Sequence, residues 1–459
     1  MNKLFIIIFI LIGVVLPVVL YLNIPPNEDE SYYILVSGDY ARGIGIPYED
    51  YASDPKPPGI YYLLTPIFYI FGPSVVAARL TLFFVSALAA IAIFMVAEKY
   101  KTGSGKIASL LYLTGMLLSA YEGFSVLTES FMVLFLALAV YFTFESKTSL
   151  GLLAAGALGG ISFLFKQPGG FFLVFLIAYV LLEHRNKNFG LITSTKRIIA
   201  GIIGFIIPIA LSLLHFYSLG ALDEMLYWVF VVPSMLNPVF GIISVAGLYH
   251  AASFGIIWIL ALAYMTKLRL LDSRGISLLV VGLLSLIPWI SIQFGHYLIP
   301  VMFVASIFAS AFIVSNKHFL RKAAPLFIII LLLVGTVSVD LYSGYTRQVN
   351  SHQRAENLDK IVSYIKSNAS PQENIFVFGY DPSIYMLSER RPPFRSYHIL
   401  GHLLGNDEEF IKQQLDENVN MIVKITDCSL NVNICDFMMD RYMKVADVGN
   451  YEVFMKKAV

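Results

Sequence analysis

The stretch Val75–Ala97, VVAARLTLFFVSALAAIAIFMVA, is almost wholly apolar and carries a single charge, Arg79, near its start. A helix needs about 20 such residues to cross a hydrocarbon core of about 30 Å. Comparable runs recur at 4–22, 105–120, 127–144, 149–165, 169–182, 198–217, 243–265, 276–292, 297–314 and 324–342. The sequence therefore predicts an α-helical polytopic membrane protein with about eleven transmembrane helices. Of its 459 residues, 57% are apolar and 14% charged, which fits that class. A net charge of +1 gives no reason to expect a nucleic-acid partner. Two cysteines without a Cys/His cluster exclude a zinc ribbon or a disulfide-rich scaffold. The first run follows Lys3 and ends without a small-residue cleavage site, so it is expected to be a retained helix.

Charge fixes the expected orientation. With the N-terminus cytoplasmic, 98–104, 145–148, 183–197, 266–275 and 315–323 fall inside and are rich in Lys and Arg. The opposite loops before residue 343 hold only Arg42, Lys56 and Lys166, which is the positive-inside pattern. An odd number of spans then delivers residues 343–459 to the extracytoplasmic side. That segment is more polar, with short strand-like runs at 374–379, 420–425 and 451–456 and a helical stretch at Asn357–Ser367. The expected organisation is a transmembrane domain over 1–342 and a small α/β domain over 343–459. Cys428 and Cys435 both fall in this outer segment, where an oxidising compartment favours a disulfide between them. Asn368-Ala369-Ser370 has the form of a glycosylation sequon, weakened by Pro371 after it.

Between the first two spans, the 23–74 loop is long and rich in Tyr, Pro and acid, including YEDYASDPKPPGIYY at 48–62. Asp29–Ala41 can form a helix, and Ile60–Phe71 is apolar but too short to span, so it should lie along or dip into the membrane surface. Its tyrosines at 32, 33, 48, 51, 61 and 62 fit either an aromatic belt or a sugar-stacking surface. The costly polar residues of the chain all fall at this one boundary. They are Asp29 and Glu30, Asp54 and Lys56, Arg79, Glu129, Lys166, and His296 with Tyr297. Such a boundary site suits a substrate with an anionic head and a greasy tail. Lys56 and Lys166, with Arg79, could hold a lipid phosphate, and Asp29 could take a proton from an attacking hydroxyl. Asp54, His296 and Tyr297 stand where they could touch substrate or a metal. The sequence leaves the cofactor open: a divalent metal is compatible with such a site, but no clear ligand set for one is legible.

The ordered series DESYY, GIPYEDYASDPKPPGIYYL, FGPSVVAARL, LTES, FLFKQPG and HYLIPVMFVASIFAS resembles the GT-C membrane glycosyltransferases. The likeness is to the dolichyl-phosphate-mannose-protein mannosyltransferase-like family, which includes lipid A aminoarabinose transferase. It covers about residues 1–315. The resemblance places the family's first-loop acid on Asp29, with Glu30 beside it, its second-loop acid on Glu129 and its phosphate-contacting lysine on Lys56. Catalytic roles are thus expected for Asp29, Glu30 and Glu129. In the aminoarabinose branch an acid implicated in metal binding immediately precedes that lysine, whereas here Pro55 stands there and Asp54 one place earlier. The implied partners are a polyprenyl phosphate-linked sugar, a hydroxyl acceptor and the bilayer. The rival readings are a transporter or flippase of lipid-linked sugars, and a transferase of an oligosaccharide or another lipid-linked group.

Overall fold

The computed structural model describes residues 3–22, 24–51, 55–118, 122–235, 244–253, 255–266, 272–316, 353–379, 381–393, 408–428 and 431–457. Among these, seven helices are long and apolar enough to cross a membrane: Lys3–Tyr21, Val75–Tyr100, Thr128–Glu145, Gln167–Arg185, Leu191–Ser218, Ser273–Ile292 and Gly295–Ser315. Two expected spans differ. The 105–120 run is the shorter helix Gly105–Met116, because the chain folds back there, with Gly123 so close that a Cβ on it would stand 2.7 Å from the Met116 carbonyl oxygen. The 243–265 run is divided into Val245–Ser253 and Gly255–Met265, with a glycine, a poor helix former, just past the break. The expected span at 324–342 lies outside the described residues.

Ser149–Phe165 packs closely on Leu191–Ser218 because glycines remove the side chains between them. A Cβ at Gly156 would collide with the Gly201 carbonyl, and one at Gly204 with that of Leu153. This is the small-residue packing by which membrane helices approach without a hydrophobic driving force.

The first loop is ordered into two helices. Glu28–Ala41 begins where the Asn27 side chain accepts a hydrogen bond from the Glu30 amide at 2.8 Å, and three acids in its first turn suit the positive end of the helix dipole. Gly59–Phe71 follows the Pro57-Pro58 break. Ile60, Tyr61, Leu64 and Phe68 face inward, whereas Tyr69, Ile70 and Phe71 at its end are exposed. An exposed apolar end is what a helix dipping into lipid requires.

Toward the C-terminus the chain forms a four-stranded sheet of order β1-β2-β4-β3: β1 Ile375–Phe378, β2 Met421–Lys424, β3 Tyr442–Val448 and β4 Tyr451–Lys456. β1 and β2 run parallel and the other pairs antiparallel, with Val377 opposite Val423 and Val423 opposite Val453. Helical residues 353–368 and the helices Pro382–Ser388, Glu408–Asn418 and Val432–Arg441 accompany the sheet. Cys428 and Cys435 are joined, with their Cα atoms 5.5 Å apart. Pro382–Ser388 packs against Glu28–Ala41, so the C-terminal part touches the first-loop helix.

Candidate active site

Two lysine–carboxylate pairs form the centre of the site, and each is built from separate segments of chain. Asp29, in the first turn of Glu28–Ala41, receives Lys56 Nζ on Oδ2 at 2.9 Å. Lys56 Nζ also donates to the Tyr33 hydroxyl and stands 4.9 Å from the centre of that ring. The Lys56 carbonyl accepts from Tyr48 at 2.6 Å, and Tyr48 itself sits at φ 69°, a conformation uncommon outside glycine. The second pair is Glu129, at the start of Thr128–Glu145, with Lys166, which caps the C-terminal end of Ser149–Phe165. Both side chains are buried, and Lys166 Nζ lies 3.7 Å over the Tyr297 ring. Thr128 Oγ1 donates to Glu129 Oε2 at 3.3 Å.

A close backbone approach brings the pairs together. Gly59 lies so near the end of Ser149–Phe165 that a Cβ on it would stand 2.6 Å from the Leu164 carbonyl oxygen. Gln167 then ties the two lysine-bearing turns, its Nε2 donating to the Pro55 carbonyl at 2.8 Å and to that of Val229 at 3.1 Å. His296 completes the group. Its Nε2 is 3.7 Å from Glu129 Oε1 and its Nδ1 is 3.3 Å from Glu122 Oε2. Burial pushes the Asp29 carboxyl up, but the Lys56 ammonium beside it, with His296 and Lys166 farther off, outweighs this and holds it below the ordinary carboxylate value. Although closely surrounded, its side chain stays 42% exposed, so a reactant can reach it.

Glu30 and Arg79, one residue along the helix and across from it, form a separate buried clamp. Arg79 Nε donates to Oε1 at 2.8 Å and Nη2 to Oε2 at 2.6 Å. Arg79 Nη1 reaches the carbonyls of Tyr21 and Ile24 at 2.6 Å and of Leu22 at 3.2 Å. These bonds occupy Nε and both terminal nitrogens of the guanidinium. Arg79 is thus joined to Glu30 and the end of the first helix rather than to the lysine pairs.

Asp54 lies outside the described residues. Among those described, no group of three or more His, Cys, Asp or Glu could hold a metal ion. Tyr32, Tyr33, Tyr48, Tyr51 and Tyr61 are core residues, and Tyr62 is half-buried with its hydroxyl 3.0 Å from Ser212. Neither a surface belt nor an open stacking platform describes them; Tyr33 instead serves Lys56. Sequence reading names Tyr33 only among the loop tyrosines and misses Gln167 and Glu122. The QPGG turn after Lys166 was the only signal for the first, and an isolated glutamate at the mouth of an apolar helix the only one for the last.

Residues 55–215 match the family described as Dolichyl-phosphate-mannose-protein mannosyltransferase. The match includes Lys56, Arg79, Glu129 and Lys166 and leaves Asp29 and His296 outside it. Compared by sequence with curated proteins, the chain matches none. Among solved structures it is similar to ArnT from Cupriavidus metallidurans bound to undecaprenyl phosphate, with TM-score 0.67, 13% identity, and 99% of this chain and 98% of that one covered. The apo state of the same ArnT gives TM-score 0.68 at 13% identity, covering 98% and 97%. The Archaeoglobus fulgidus oligosaccharyltransferase, in complex with Zn and sulfate, gives TM-score 0.57 at 13% identity, covering 99% of this chain and 72% of that one. The chain thus shares the fold of ArnT, and its residues 55–215 match the family described as Dolichyl-phosphate-mannose-protein mannosyltransferase.

Proposed function

We propose that the protein is an integral membrane glycosyltransferase that moves one sugar from a polyprenyl phosphate to a hydroxyl acceptor at the extracytoplasmic face. The observation that carries this reading is the convergence of Asp29–Lys56 and Glu129–Lys166, two cation–carboxylate pairs from four chain segments, beside the apolar Gly59–Phe71 helix. Ammonium groups match a phosphate, and lipid-facing helices match a polyprenyl tail. The kinship of fold with a protein crystallised with undecaprenyl phosphate supports the same donor class.

Asp29 is the base. It takes the proton of the acceptor hydroxyl, whose oxygen attacks the anomeric carbon on the side opposite the phosphate. The bond from that carbon to the phosphate oxygen breaks, and the configuration inverts. Polyprenyl phosphate leaves with one more negative charge than it had in the donor. Lys56 and Lys166 stabilise that charge where it develops, in surroundings of low dielectric in which fixed cations act strongly. Glu129 holds Lys166 in place and completes the acidic wall. Glu30 and Arg79 fix the helix that presents Asp29. Tyr297 supports Lys166 through its ring face.

In this reading residues 1–342 are the catalytic membrane domain, and 343–459 form an extracytoplasmic domain that docks on the Asp29 helix. Transport or flipping of lipid-linked sugars is the rival. Transporters bind at the bilayer midplane, often between repeats, whereas here the polar side chains gather at helix ends and no repeat is legible. Transfer of an oligosaccharide is the second rival, supported by the archaeal similarity. Incubating membranes that contain the protein with a set of polyprenyl phosphate monosaccharides and weighing the products decides among them. A product heavier by one sugar is expected; movement of intact lipid-linked sugar without transfer contradicts the reading.

A further inference from the structure

Arg197 stands at the end of the bundle away from the candidate active site. Its helix, Leu191–Ser218, begins there, and Thr128–Glu145, whose first turn carries Glu129, ends there at Ser146. The Arg197 side chain is only 1% exposed. Nη2 donates to the Ser146 carbonyl at 3.0 Å, and the Phe189 ring centre lies 4.0 Å from Cζ. Nε and Nη1 are buried and have no acceptor among the described residues, and Ser194 Oγ, one turn earlier on the same helix face, is buried and without a partner too. Arg79 shows the contrast, since a carboxylate and three carbonyls fill its nitrogens. Tyr179 and Glu183 are the groups that act on Arg197 through their charge, but the Glu183 carboxylate accepts from Asn188 at 2.8 Å and makes no ion pair with Arg197. Tyr179 also has Arg274 among its charged neighbours, so two guanidiniums gather around one ring. A buried cation without a counter-charge is costly, and an anion is what completes it.

The length of the helix says which anion. Its 28 residues extend about 42 Å at about 1.5 Å each, close to the roughly 40–45 Å of a bilayer with its headgroups. Arg197, about 9 Å from the start at that rise, falls where headgroups meet hydrocarbon. Leu150, Leu191 and Ile192 at the same end are exposed apolar side chains, as a lipid-facing rim requires. We propose that Arg197 and Ser194 bind the phosphate of an anionic lipid in the leaflet opposite the active site. The phosphate reaches them by displacing Phe189, half-buried in the short turn between Phe171–Arg185 and this helix. The proposal does not depend on the glycosyltransferase reading.

Native mass spectrometry of the full-length protein, released from detergent micelles titrated with phosphatidylglycerol, phosphatidylcholine or inorganic phosphate, tests it. Phosphatidylglycerol should be retained saturably and more tightly than either of the others. Arg197→Gln should weaken its binding about tenfold, the scale of one hydrogen bond to a charged group, and Ser194→Ala about threefold. Lys196→Gln, which removes the exposed cation next to Arg197, should leave binding unchanged. Equal losses in Lys196→Gln and Arg197→Gln would show diffuse attraction by surface charge. Binding unchanged in Arg197→Gln or in Ser194→Ala would place the lipid elsewhere, and inorganic phosphate or phosphatidylcholine held as tightly as phosphatidylglycerol would remove the selectivity for an anionic lipid. Each of these results overturns the proposal. Should Arg197→Gln fail to fold, the comparison of Ser194→Ala with Lys196→Gln decides alone.

Discussion

Adjacent acids in the same helical turn do different work. Asp29 is open on one side and meets a single lysine, whereas Glu30 is fully buried in a two-pronged bond with Arg79. Removing one member of a buried ion pair leaves the other uncompensated, at a cost of about 3–5 kcal/mol. Arg79→Ala should therefore lower the unfolding temperature in detergent markedly, whereas Asp29→Asn should not; equal melting of the two variants would refute the clamp. In the proposed mechanism the acid limb of turnover belongs to Asp29. Because its carboxyl is held below the ordinary value of about 3.9, it stays ionised as the pH falls through that range. Lys56→Ala removes the group that lowers it and leaves the desolvation, so the limb should move to higher pH at saturating donor. The same shift makes the pair's contribution to stability full above the unfolded carboxylate value and lost as pH falls through the folded one. An unmoved limb in Lys56→Ala would show that another group sets it. Individual residues were legible where a charge interrupts an apolar run, as with Arg79, Glu129 and Lys166. Which of them pair was not, since pairing across 49 residues, as between Glu30 and Arg79, leaves no local pattern.

At the scale of elements, the break PKPPG decides the site. Two prolines stop regular structure before Gly59, and Gly59 lets the turn that carries Lys56 come against the end of the helix that Lys166 caps, by contact with Leu164. Gly59→Ala should push these backbones apart and cut turnover by at least tenfold while the protein still folds; unchanged turnover would show that the spacing of the lysines is immaterial. Long helices were readable because their apolar runs are continuous, and β1, β2 and β4 because each falls in a short alternating, strand-like run. β3 was not: in YMKVADV the Lys444 and Asp447 side chains interrupt the pattern, and the strand is an edge exposed over Met443–Val445. Edge strands tolerate such residues because one side of the ladder faces solvent. The Gly105–Met116 helix was read too long, since the residues after it are apolar too and only tertiary packing of Gly123 shows where the chain turns.

For the whole molecule, the reading requires that every element carrying a site residue end at one membrane face. A reporter fused after Val459 should be extracytoplasmic and one inserted near Asn188 cytoplasmic; two reporters on the same side would break the argument that the loops converge. The fold class was legible in the sequence because hydrocarbon leaves so few ways to satisfy the backbone. The docking of Pro382–Ser388 on the Asp29 helix was not, since it joins surfaces more than three hundred residues apart. The central claim is that Asp29 activates the acceptor while Lys56 holds the donor, and it is tested most directly by sugar transfer and lipid-phosphate binding measured side by side on purified protein in nanodiscs. Asp29→Asn should bind polyprenyl phosphate nearly as the wild type does and lose turnover by about 10²–10⁴-fold, while Lys56→Ala should weaken that binding. Full turnover in Asp29→Asn, or unweakened binding in Lys56→Ala, would contradict the account.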